Sequence, residues 1–106
     1  MARYLLMASY TREGAQGTLK DGGTKRRAAI EQVTKNLGGT LEAFYYGFGD
    51  HDAYVIADFP DHASPVAASL AAAASGAAHV KTVVLITPEE MDQAVKKNTG
   101  YRPPGQ

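Results

Sequence analysis
The stretch Gly47-Phe48-Gly49-Asp50-His51-Asp52-Ala53-Tyr54 decides how the chain is read. It lies between two strand-like runs, Thr40 to Tyr46 and Tyr54 to Phe59, and so reads as a hairpin tip. The run before it carries threonine and three aromatics, a strand composition. The run after it, Tyr54-Val55-Ile56-Ala57, is closed by Pro60. His51 has an acid on each side, and tips of this kind, held on a rigid scaffold, are where binding and catalysis tend to sit.

Reading outward from the hairpin places the remaining elements. Upstream, Tyr4 to Tyr10 is a mostly apolar run bounded by charge and suits a buried strand. Thr11 to Gly23 is polar and holds four glycines, which predicts a loop or a broken helix start. Thr24 to Leu37 reads as a helix with Ile30, Val33 and Leu37 on its inner face, Ala29 beside them, and Lys25, Arg26, Glu31, Gln32 and Lys35 facing out. Gly38-Gly39 supplies a left-handed stop. Downstream, Asp61 or Ser64 caps a second helix with Pro65 in its first turn and a core face of Val66, Leu70, Ala73 and Ala74. Val80 to Ile86 is the most strand-like segment of the chain. Thr87-Pro88-Glu89-Glu90 then starts a short helix.

The order β-α-β-β-α-β plus a short helix is the split β-α-β, or ferredoxin-like, arrangement, an α+β fold with helices on one face of an antiparallel sheet. One domain over residues 1–98 and an extended tail over 99–106 are expected. Leu5 and Met7 alternate with Tyr4, Leu6 and Ala8, and Val83 and Leu85 alternate with Val80, Thr82, Val84 and Ile86. Both faces are therefore largely apolar, where a sheet wet on one side would alternate cleanly with polar residues. This predicts a homodimer in which two sheets pack face to face into a barrel.

Composition narrows the function classes. The 106 residues suffice for one domain. Eleven basic and eleven acidic side chains give no formal charge, which argues against a bulk electrostatic grip on nucleic acid or anionic lipid. With no cysteine, a disulfide scaffold, a thiolate metal site and a cysteine nucleophile are excluded. The apolar start, Met1 to Ala8, is short, lacks a cleavage pattern and reads as a strand. No stretch approaches the roughly 20 apolar residues of a membrane span. The expected setting is cytoplasmic. The expected partners are further copies of the chain, as a dimer or higher oligomer, and a small organic ligand, with neither nucleic acid nor membrane among them.

At this point the chain resembles the GYD-domain family, small bacterial proteins assigned to the dimeric α-β barrel superfamily. The resemblance rests on Tyr10-Thr11-x-x-Gly14 after the first strand, Leu37-Gly38-Gly39 closing the helix, and Phe44-Tyr45 in the second strand. It extends to the hairpin motif, to Ala57-Asp58-Phe59-Pro60-Asp61 and to the Tyr101-Arg102-Pro103-Pro104-Gly105 tail. The family's Gly-Tyr-Asp reads here as Gly49-Asp50-His51-Asp52, so His51 stands in the place of a phenol. The resemblance implies the fold and the dimer. It implies no reaction, because the family has no agreed biochemical function.

His51 and Asp52 are the candidates for acid–base chemistry, since histidine titrates near neutral pH and a carboxylate can orient it. Adjacent strand residues point to opposite faces, so the two pair only if the chain turns there. The competing reading gives Asp52 a turn-capping role through local backbone hydrogen bonds. Among the tyrosines, Tyr10, Tyr46 and Tyr54 are the candidate ligand contacts, with Tyr10 and Tyr46 near strand ends; the alternative is that aromatics simply favour strands and interfaces. Arg12, with Lys20, Lys25, Arg26 and Arg27, makes a basic group that either meets an anion at a helix start or forms a solvated face. Gly17 to Thr24 has the outline of a phosphate loop but carries glycine in the lysine position, and it is rejected as a nucleotide site. His51, His62 and His79 lack the spacing of a ligand pair, so no metal site and no cofactor are expected, although His79, leading into a core strand, is where a haem ligand would stand. Three functions follow. The first is a small-molecule-binding or accessory dimer. The second is a cofactor-free isomerase, lyase or oxygenase acting on a small organic acid or aromatic. The third is an interaction module whose tail clasps a neighbour.

Overall fold
The computed structural model describes residues 1–47 and 49–106; Phe48 of the hairpin tip lies outside the described residues. The element order is β1 (Ala2–Tyr10), α1 (Arg12–Asp21), α2 (Gly23–Asn36), β2 (Thr40–Tyr46), β3 (Ala53–Phe59), α3 (Ala63–Ala74), β4 (Ala78–Leu85) and α4 (Pro88–Val95). The strands form one sheet in the order β2-β3-β1-β4 with every neighbouring pair antiparallel. This is the ferredoxin-like α+β arrangement, extended by one helix between β1 and α2.

Of the loop and the broken helix start expected over Thr11 to Gly23, the structure has the second: a helix that is broken at Gly22. Two glycines lower its intrinsic propensity, but a cap and a tertiary contact outweigh them. Thr11 Oγ1 accepts the Gly14 N–H at 3.2 Å, and Thr11 N–H donates to the Ala77 carbonyl at 3.0 Å. Gly14 packs so closely that a Cβ there would lie 2.0 Å from Ala77 O. Gly22, at φ +79°, breaks the chain between α1 and α2. At the far end of α2, Gly38 takes φ +78° and Gly39 N–H donates to Thr34 O at 2.9 Å, the expected left-handed stop.

The register sorts the strand residues between two faces. Tyr4, Leu6, Ala8 and Tyr10 of β1 share the helix-covered face with Ala53, Val55, Ala57 and Phe59 of β3. Leu5, Met7, Tyr54, Ile56, Val83 and Leu85 lie on the opposite, open face. Tyr4, Leu6, Val55, Ala57 and Phe59 form the buried core, with Ile30, Leu37 and Phe44 packed against it. Tyr4 is buried among apolar groups, and its hydroxyl pairs with His62 Nδ1.

Two helix faces are rotated from the expected ones. On α2 the inner line runs Arg26, Ile30, Thr34 and Leu37: Arg26 is half-buried rather than outward, Thr34 is buried, and Ala29 is exposed. Buried Thr34 satisfies its hydroxyl by donating to Ile30 O at 2.8 Å. On α3 the expected core residues Val66 and Leu70 are 54% and 65% exposed. The inner face is instead Ser64, Pro65, Ala68 and Ala72. Asp61 fixes that rotation by accepting from Ser64 N–H at 2.9 Å and from Ser64 Oγ at 2.7 Å. α4 has the cap read from its sequence, Thr87 and Glu90 each accepting the other's backbone N–H at 3.1 Å. No helix is long and apolar enough to cross a membrane among the described residues.

Candidate functional site
The rotation of α3 leaves space beneath it. Alanines face one another across the layer, Ala8, Ala53 and Ala57 from the sheet against Ala68 and Ala72 from the helix, while the larger Val66 and Leu70 point away. The result is a cavity of about 350 Å³ between the sheet and α1, α2 and α3. Its walls are apolar, with Leu6, Ile30, Phe44 and Val55 among them. That size is at the small end of ligand pockets, which run from about 300 to 1,000 Å³.

Phe59, packed against Tyr4 in the core, lines one end of the cavity. Its other end lies where β1 and β2 finish and α1 and α2 begin. Tyr10, Glu13, Gly14 and Arg26 line it there. Tyr46 adjoins Tyr10 on the same face of the sheet, and its hydroxyl donates to Gly23 O at 3.1 Å. Burial pushes the Tyr46 phenol above its ordinary pKa, and the Tyr10 phenol adds to the rise; Arg26 and Arg27 pull the other way. The phenol is therefore a protonated donor at neutral pH.

The residues singled out in the sequence fall into three places. Tyr10 and Tyr46 come together at the ends of β1 and β2, and Tyr10 lines the cavity. His51 and Tyr54 come together on the open face, their rings edge to face at 6.0 Å, with His51 Nδ1 within hydrogen-bond distance of Ser9 Oγ at 3.0 Å. Asp52 lies between the two groups and joins β3 to β1. Its carboxylate accepts from Tyr10 N–H and its own N–H donates to Ala8 O, both at 2.8 Å. His51 and Asp52 thus serve different partners in the bend that precedes β3. Arg12 is exposed at the first residue of α1. Of the five basic residues grouped in the sequence, Arg26 alone is half-buried and lines the cavity.

Arg26 and Glu13 are the site residues that residue type alone did not isolate. The available signal was helical phase. Arg26 stands four residues before Ile30 and eight before Thr34, on the inner line of α2. His79 is exposed and sits opposite Ser9 on the open face, away from the cavity. Among the described residues, no three of His, Asp and Glu gather into a metal-ligand set. No curated protein and no solved structure matches the chain. A protein-family model, the GYD domain, matches it over residues 4–95.

Proposed function
The chain belongs to the GYD-domain family, and on that fold we propose that it acts as a homodimeric, small-molecule-binding protein. The observation that carries this reading is the alanine-walled cavity between sheet and helices, apolar along its length and polar at one end. A well-packed interior leaves few voids larger than a water molecule. A space of this size, with the Tyr10 phenol in its wall, is better accounted for by an occupant than by loose packing. The dimer is supported by the largely apolar open face, where Val83 is 42% and Tyr45 71% exposed.

Catalysis draws less support. The acid–base pair suggested by adjacency, His51 with Asp52, is divided between Ser9 and the Tyr10 backbone, and neither residue lines the cavity. A chemical role for His51 would rest on the Ser9 contact at the open face.

Native mass spectrometry of untagged protein, repeated after denaturation, tests the proposal. A dimer whose mass exceeds two chains by a discrete amount that denaturation releases is the expected result. A monomer would overturn the dimer. A bare dimer that takes up no member of a small-molecule panel would overturn the binding function.

A further inference from the structure
The cavity wall contains two charged residues, Glu13 and Arg26, and their placement suggests which ligands it takes. Lys25 and Arg27, on either side of Arg26, are exposed, so position 26 is not one more member of a solvated basic stripe. The Arg26 side chain is half-buried at the edge of an apolar space and joins none of the ion pairs found among the described residues. Withdrawing a guanidinium from water without a counter-charge is unfavourable. An anion at that spot would offset the cost, and a guanidinium matches a carboxylate in a two-bond fork. Tyr10 lines the same end and offers a second donor.

We propose that the cavity binds a small monocarboxylic acid, its apolar body between the sheet and α3 and its carboxylate on Arg26 with Tyr10 beside it. This rests on the small-molecule-binding function proposed above and adds the chemical class. A cavity of about 350 Å³ fits a single ring or a short chain. Glu13, exposed at the rim of the same cavity, sets a second limit, because another carboxylate on the ligand would meet its like charge there. Monoacids are therefore preferred to diacids of similar size.

The test compares acids with neutral molecules of the same shape, by titration calorimetry at pH 7. The probes are phenylacetate against 2-phenylethanol and hexanoate against 1-hexanol, with phenylmalonate as the diacid. In the unmodified protein at least one acid binds about tenfold or more tightly than its alcohol, as a charge-assisted hydrogen bond warrants. Phenylmalonate binds more weakly than phenylacetate. Arg26→Gln brings the acid down to the affinity of the alcohol and leaves the alcohol unchanged. Ala72→Leu, which fills the cavity from α3, weakens acid and alcohol together. Equal affinities for acid and alcohol overturn the monocarboxylate assignment and leave the binding function standing. If neither acids nor alcohols bind, both fall. The comparison within the unmodified protein decides the matter even where a variant does not fold.

Discussion

Asp58 carries out at the residue scale what its sequence neighbours do not advertise. It sits opposite Arg3 on the open face, and the guanidinium holds it in a fork, Nε to Oδ1 at 2.9 Å and Nη2 to Oδ2 at 3.1 Å. That hydrogen bonding lowers the Asp58 carboxyl below its ordinary 3.8, against a smaller opposing effect of burial. A carboxyl whose folded pKa is depressed contributes stability that is present above the unfolded value and lost as pH falls through the folded one. Asp58→Asn is therefore less stable than the parent at pH 7, and the gap closes as the medium is acidified below 3.8; thermal melts along that pH series check it. Arg3 is half-exposed, so the effect is modest and shrinks with added salt. The same scale shows why the site was only partly legible. His51 and Asp52 look like a pair because they are adjacent, yet side chains pair through space, and the bend before β3 sends one to Ser9 and the other to the Tyr10 N–H. Arg26 has the opposite history: flanked by Lys25 and Arg27 it reads as solvated, and helical phase alone turns it inward.

Among the elements, α1 shows what local propensity leaves out. Four glycines between Thr11 and Gly23 argue for a loop, and the helix forms because its first turn is capped by Thr11 and seated on the backbone at Ala77. The two internal glycines of α1 should therefore respond in opposite ways. Gly14→Ala drives a Cβ to 2.0 Å from Ala77 O, a backbone atom that can yield only if α1 or the turn before β4 moves. It should cost about 1–3 kcal/mol. Gly17→Ala meets nothing within 4 Å and should raise stability by up to about 1 kcal/mol through helix propensity. Urea unfolding of the two variants separates a packing requirement from a general glycine effect. The strands were read well because alternation and aromatic content act locally; Thr40–Tyr46 is the strand expected. On α3 side-chain size is a poor guide to the buried face: Val66 and Leu70 are exposed while Ala68 and Ala72 face the sheet. In an alanine-rich helix the apolar moment is weak in every direction, and Asp61, through its hold on Ser64, sets the phase.

At the scale of the whole molecule two apolar surfaces remain uncovered, and pairing through each would make a different assembly. One is the open sheet face with Leu5, Met7, Ile56 and Val83; the other is the outer side of α3 with Val66 and Leu70. The chain also reaches outward. Its Cα radius of gyration is 16.8 Å, against about 13 Å for a compact domain of this size, and residues 86–106 are exposed throughout. The four-stranded face sets Leu5, Met7, Tyr54, Ile56 and Val83 side by side, with Lys81 and the Arg3–Asp58 pair among them, whereas α3 offers a narrow stripe. The larger surface should therefore drive pairing. At position 56, opposite Leu5, a lysine would add to Lys81 a second charge to be desolvated in a sheet-to-sheet interface, a cost large enough to disrupt association. Ile56→Lys is thus expected to convert a dimer to a folded monomer in light scattering coupled to size exclusion, while Val66→Lys leaves the dimer intact. Circular dichroism confirms that each variant keeps its fold. Because the cavity opens on the helix side of the sheet, the Ile56→Lys monomer should retain its ligand affinity. If Val66→Lys is the variant that splits the dimer, the copies meet through α3 and the barrel is wrong. If Ile56→Lys also abolishes binding, the cavity depends on the partner's support and the two functions are coupled.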